Sequence, residues 1–214
     1  MTQTYSQRVR DNILPLSVGD TLPKAFEEWS FTDETEDHEE PVETCQLCDQ
    51  EQLRYHFKIR NAFTHHSLWV GSHCILKFGL SIFERGRKLS PTEAKRKLAR
   101  LTEKMHQDSC VRALRAVLAE EENAVLKGAL DYYEKNKFLT PKQAWVVLWR
   151  LKTHGINHNP TFFTVRLKRD QHKYDLRTMA PERVHLIWPA LSTAQKRMAV
   201  EMGHQPPEQL GPGP

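Results

Sequence analysis

Three of the four cysteines in this chain fall between positions 45 and 74, two of them as Cys45-x-x-Cys48 and the third as Cys74. A Cys-x-x-Cys turn lets two thiolates face one ion while nearby backbone N–H groups soften their charge. Structural zinc takes four such ligands, from Cys and His, in a tetrahedron. The residues between the cysteines narrow the geometry further. Arg54-Tyr-His-Phe-Lys-Ile-Arg60 alternates, with Tyr55, Phe57 and Ile59 on one side, which predicts a strand with one buried face. Asn61 to Ser67 is a polar turn, and Leu68-Trp-Val-Gly71 is a second strand, so the two form a hairpin. Ser72-His-Cys-Ile-Leu-Lys-Phe78 opens a helix with Ser72 as its cap. That places Cys74 in the first turn, where the positive end of the helix dipole favours a thiolate. Knuckle, hairpin, then a helix carrying a ligand is a treble-clef-like arrangement. A hairpin this small gains its stability from the metal. In a reducing compartment the spacing favours a metal over a disulfide.

The fourth ligand is to be found among His56, His65, His66 and His73. The ion sits at the open end of the hairpin, while His65 and His66 lie at its turn. About five residues at roughly 3.3 Å each separate the two ends, too far for one ion. His56 and His73 both lie near the open end. His73 adjoins Cys74, and neighbouring residues rarely bind one ion together, so His56 is favoured. The expected set is therefore Cys45, Cys48, Cys74 and His56 around a structural Zn2+. Glu43 and Glu51 are the nearby acids, and no His-x-Glu or His-Glu-x-x-His pattern accompanies them. A catalytic zinc keeps an open position beside a general acid or base, so the expectation is a protein that is not an enzyme.

Glu28-Trp-x-Phe31, Cys45-x-Leu-Cys48, Leu53-Arg-Tyr-His-Phe57, Ile59-x-Asn61 and Leu68-Trp-Val-Gly-Ser-x-Cys-Ile75 together resemble a group of small bacterial and phage zinc-finger-like proteins. The resemblance covers roughly residues 25 to 80. It implies a zinc-binding module, a phage or mobile-element origin, and little about activity.

The remainder of the 214 residues reads as mainly helical, giving an α+β protein: a small treble-clef-like zinc module followed by a helical domain. Leu22 to Phe31 reads as a short helix ending in an aromatic strand, and Thr32 to Glu43 as an acidic mobile loop. Ser90-Pro-Thr-Glu93, Thr140-Pro-Lys-Gln143 and Ser192-Thr-Ala-Gln195 are capping boxes that each open a helix. Gly155 ends the second of these. Pro160 to Lys168 alternates through Phe163, Val165 and Leu167 as a short strand. Cys110 is expected as a buried structural thiol, and Trp145, Trp149 and Trp188 as core anchors. The implied organisation is an acidic arm over 1–44, a zinc module over 45–84, a basic helical domain over 85–204 and a disordered tail over 205–214. No apolar run approaches the roughly 18 to 20 residues of a membrane span, and the start lacks a secretory pattern, so the cytoplasm is expected.

Charge suggests the partner. Residues 1–44 carry eleven Asp/Glu and three Lys/Arg, whereas the whole chain has a net charge of +4. A basic body suits a polyanion. Arg85, Arg87, Lys88, Lys95, Arg96, Lys97, Arg100 and Lys104 follow the zinc module directly. A second cluster, Arg166, Lys168, Arg169, His172, Lys173 and Arg177, interleaves with Phe162, Phe163 and Tyr174. Cations hold phosphates and aromatics stack bases. The expectation is a non-enzymatic zinc protein that binds DNA or RNA; the alternative is an adaptor that binds another protein.

Overall fold

The computed structural model describes residues 4–207. It is an α+β protein whose chain divides into two units, Met1–His106 and Gln107–Pro214.

In the first unit Thr4 caps α1 (Tyr5–Ile13), its side chain accepting from the Gln7 N–H. A 3-10 turn over Leu14–Leu16 leads to α2 (Leu22–Glu28) and directly into β1 (Trp29–Asp37). Next come β2 (Tyr55–Asn61), β3 (Ser67–Val70) and α3 (Ser72–Lys77). The sheet is antiparallel in the order β1-β2-β3. The expected hairpin is β2-β3, with Phe57 opposite Val70 and Ile59 opposite Leu68. The cap of α3 is Gly71, without a side-chain bond, rather than Ser72.

The expected mobile loop over Thr32 to Glu43 is corrected only as far as Asp37: β1 pairs with β2 from Trp29 opposite Asn61 to Asp37 opposite Tyr55, across a bulge between Phe31 and Thr35, while 38–43 is a connection outside the named strands. Two of its acidic residues have cross-strand partners. Arg54 grips the Asp37 carboxylate through two nitrogens at 2.8 and 3.1 Å, and Lys58 reaches Glu34 at 2.9 Å. Composition alone suggests disorder because the residues that balance this charge lie far along the chain. Nor is 1–44 a separate arm: Val9, Ile13, Ala25, Trp29 and Phe31 belong to the same apolar cluster as Cys45, Cys48 and Cys74.

The sheet's end is held by a buried carboxylate. Glu28 accepts from Asn61 Nδ2 at 2.7 Å and from the Val18 and Gly19 N–H groups at 2.9 and 2.6 Å. Burial pushes its pKa up, but the three donors outweigh that and hold it below the usual carboxylate range.

Beyond α3, β4 (Phe83–Glu84) and β5 (Arg87–Lys88) form a short hairpin, and α4 follows over Pro91–Glu120. The Ser90 box is present, with Ser90 N–H donating to Glu93 at 2.9 Å and the Glu93 N–H to Ser90 Oγ at 3.4 Å.

The second unit contains α5 (Ala124–Asn136), α6 (Pro141–Thr153), α7 (Asp170–Arg177), α8 (Pro181–Ile187) and α9 (Thr193–Glu201). Both expected capping boxes, at Thr140 and Ser192, are formed reciprocally. Gly155 ends α6 in the left-handed region, φ 63°, with Ile156 N–H reaching the Leu151 carbonyl and Gly155 N–H that of Lys152. Leu114, Leu126, Leu130, Val147, Leu148, Leu151 and Phe163 are fully buried together. Cys110 joins them as expected. Pro160 to Lys168 is not a strand: Pro160–Phe162 is a 3-10 turn, followed by a single parallel bridge between Val165 and Leu139. The alternating residues are buried because the extended segment lies on helices rather than in a sheet. Trp188 is buried, but Trp149 is 39% exposed and stacks on Trp145 at 5.9 Å, so Trp149 is not a core anchor. The expected tail falls largely on residues 208–214, outside the described residues.

Candidate metal centre and basic surface

A turn, one strand and two helices position the three thiols. The knuckle closes on itself, with Cys45 N–H on the Gln50 carbonyl and Asp49 N–H on the Cys45 carbonyl, both at 2.9 Å. It is tied to β3 by Gln46 N–H on the Trp69 carbonyl and by Trp69 N–H on Gln46 Oε1, at 2.9 and 2.7 Å. From α1, Asn12 Nδ2 donates to the Leu47 carbonyl at 3.3 Å and to Asp49 Oδ1 at 3.0 Å. Cys74 enters from the first turn of α3.

The result is a tight triad. Cys74 Sγ lies 3.7 Å from Cys45 Sγ and 3.2 Å from Cys48 Sγ, and all three sulfurs lie within 4.8 Å of one another. Thiolates at about 2.3 Å from a tetrahedral ion are separated by about 3.8 Å, so little adjustment would seat a metal among them. The thiols are 1 to 3% exposed. Three buried sulfurs compete for charge. The Cys45 thiol is pushed down to about 5, chiefly by the bond from Cys74 and then by the N–H groups of Gly71, Leu47 and Cys48, against burial. Cys74 is pushed far up by its bond to Cys45 and by burial, and Cys48 is raised by burial. A divalent cation would remove this competition by stabilising all three as thiolates.

His56 is not part of this group. Its Nδ1 lies 3.2 Å from His38 Nε2, the rings meet edge to face, and its other side stacks on Trp69. Alternation explains the placement, because His56 shares the face of Lys58 and points away from Phe57. His65 and His66 are exposed at the turn, as expected. His73 does line the cavity of about 280 Å³ beside the sulfurs, with Tyr5, Gln50, Leu53 and Gly71. Tyr5 carries no local signal that sequence reasoning could have used. Its hydroxyl lies 3.8 Å from Cys74 Sγ, 69 residues away in the chain, and burial followed by the neighbouring Cys74 raises its pKa.

The basic cluster after the hairpin divides in two. Lys97 is buried, with Nζ 2.5 Å from Asp33 and 2.9 Å from the Phe83 carbonyl, so it is internal structure rather than binding surface. Arg87 forms two bonds to Glu93, at 2.7 and 3.1 Å, and Arg100 lies 3.9 Å from Glu84. Arg85, Lys88, Lys95 and Arg96 are exposed and form no ion pair among the described residues. In the second cluster, Phe163 is core and His172 is buried, while Arg166 lies 4.0 Å over Phe138 and Lys173 pairs with Asp170. Lys168 and Arg169 remain exposed.

Comparisons with protein-family models, curated proteins and solved structures find no match to this chain. Among the described residues no helix is long and apolar enough to cross a membrane.

Proposed function

We propose that Cys45, Cys48 and Cys74 hold a structural zinc ion and that the protein uses the module so formed to bind nucleic acid without catalysing a reaction. The observation that carries the metal reading is the mutual distance of three buried sulfurs contributed by a knuckle and a separate helix. Sulfur-rich tetrahedral sites suit zinc among the common divalent ions. His73 is the donor proposed for the fourth position, because it lines the cavity at the sulfurs, whereas His56 is engaged with His38. The nucleic-acid reading is supported by Arg85, Lys88, Lys95 and Arg96, which are exposed and form no ion pair among the described residues.

Metal analysis of the purified protein is expected to return one zinc per chain, lost in Cys74→Ala. The cobalt-substituted protein is expected to show a tetrahedral spectrum that changes in His73→Ala; an unchanged spectrum assigns the fourth position to another ligand. A salt-titrated binding assay with DNA and RNA is expected to show affinity falling steeply with salt. Absence of binding even at low salt overturns the nucleic-acid half of the reading.

A further inference from the structure

The β4-β5 hairpin leaves an aromatic ring partly exposed. Phe83 is 44% exposed, although it stands directly opposite Lys88 in the hairpin. Directly opposed residues of an antiparallel pair put their side chains on one face. Arg85 and Gly86 at the tip both have positive φ, 52° and 78°, the requirement of a tight type I′ turn. A side chain other than Gly adopts this conformation at a cost, yet an arginine occupies the first position and projects from the tip.

Strands this short do not hold by pairing alone, and α4 supplies the rest. Lys97 Nζ binds the Phe83 carbonyl at 2.9 Å while pairing with Asp33, and Arg87 clamps Glu93 through two bonds. Leu89 N–H closes on the Ile82 carbonyl at 2.8 Å just beyond the hairpin. These contacts consume Arg87, Lys97 and two acidic side chains. The cations outside these pairs are Arg85 at the tip, Lys88 opposite Phe83, and Lys95 and Arg96 in the first turns of α4, and they outnumber the nearby Glu84 and Glu103, which share a cavity with Arg96. Over residues 83–104 the chain carries eight Lys/Arg and three Glu.

We infer that Phe83 is a base-stacking residue and that the β4-β5 hairpin, with Arg85, Lys88, Lys95 and Arg96, forms a docking surface for single-stranded nucleic acid. This rests on the nucleic-acid reading above and names the surface and strand type it would use. An exposed ring on a braced hairpin offers a flat face to any unpaired base, and the surrounding cations take the phosphates. A duplex offers no unpaired base face to such a ring, so the arrangement favours single strands. Stacking is tolerant of sequence, and little base preference is expected.

The test uses the full-length zinc-loaded protein with fluorescent oligonucleotides, single-stranded and duplex, titrated against salt. Phe83→Ala and Phe83→Leu are expected to weaken single-strand binding by about tenfold, with the thermal transition and metal content unchanged because the ring is not core. Phe83→Trp is expected to keep affinity and to lose fluorescence on binding. Arg85→Ala with Lys88→Ala is expected to reduce the slope of affinity against salt by one to two counterions, about 0.7 per contact for single strands. If the parent protein binds but Phe83→Leu and Phe83→Ala bind as tightly, or duplex is preferred, the hairpin assignment falls while the general reading stands. If the parent binds no nucleic acid at low salt, both fall.

Discussion

The two units bury different things. The Gln107–Pro214 core is chiefly aliphatic and aromatic, with Cys110 part of it, and its few buried polar side chains include Asp175, His172 and His204. The Met1–His106 core contains three neighbouring thiols, a buried glutamate and a strand whose outer half is acidic. Helices satisfy their own backbone and need a partner only for one stripe. A three-stranded sheet with short strands needs its edges and ends secured. The first unit does this with polar devices: Glu28 with Asn61, Arg54 with Asp37, and the sulfur triad joining the knuckle to α3. On the proposed zinc reading it is thus the unit whose stability depends on a metal as well as on specific charges, whereas the second rests chiefly on packing.

This contrast can be broken most directly at the sulfurs. Removing the metal with a chelator, or replacing Cys74 by Ser, is expected to unfold the Met1–His106 unit, because structural zinc contributes about 10–16 kcal/mol in isolated modules at neutral pH. Hydrogen exchange should show protection lost across β1, β2 and β3 and kept in α5 and α6. Loss of protection in both would mean that the units do not differ in this way. Phe163→Ala is the converse experiment. It deletes a fully buried ring from the helical core and should cost about 3–5 kcal/mol in urea unfolding, with the zinc stoichiometry unaltered.

A smaller effect sharpens the role of charge. Asp37 is 4% exposed in its side chain and held bidentately by Arg54. Asp37→Ala strands the guanidinium and should destabilise the first unit by about 3 kcal/mol; a cost below a few tenths would show that β1 is held without the pair. The smallest effect is a pH dependence in the second unit. Burial raises the pKa of Asp175, but the bonds from Lys142 and Gln171 outweigh it and leave the carboxyl below its ordinary value. A depressed folded pKa gives stability that is present above the unfolded value near 4 and is lost as pH falls through the folded one. Unfolding of α6 and α7 followed from pH 7 downward should therefore be flat to about pH 5 and then decline. Asp175→Asn should remove that share of the decline, and an identical profile in the variant would refute the assignment.

How much of this was legible in the sequence follows from the range of the interactions. The knuckle, the β2-β3 hairpin, the three capping boxes and the glycine stop of α6 rest on contacts within a few residues, and each lies where spacing and turn chemistry place it. The same locality brought Cys45 and Cys48 together and put Cys74 at a helix start. What the sequence left open or misread depends on partners far along the chain. The first half of the acidic stretch, to Asp37, is strand because it pairs with β2, and Arg54 and Lys58 take the Asp37 and Glu34 carboxylates. His56 faces His38 because β2 turns it to the side opposite Phe57. Lys97 is buried because Asp33 and the Phe83 carbonyl receive it. Tyr5 stands at the sulfurs because α1 packs there. Local spacing sets which groups can meet, whereas burial and charge compensation across the fold decide which do, and those are properties of the tertiary structure alone.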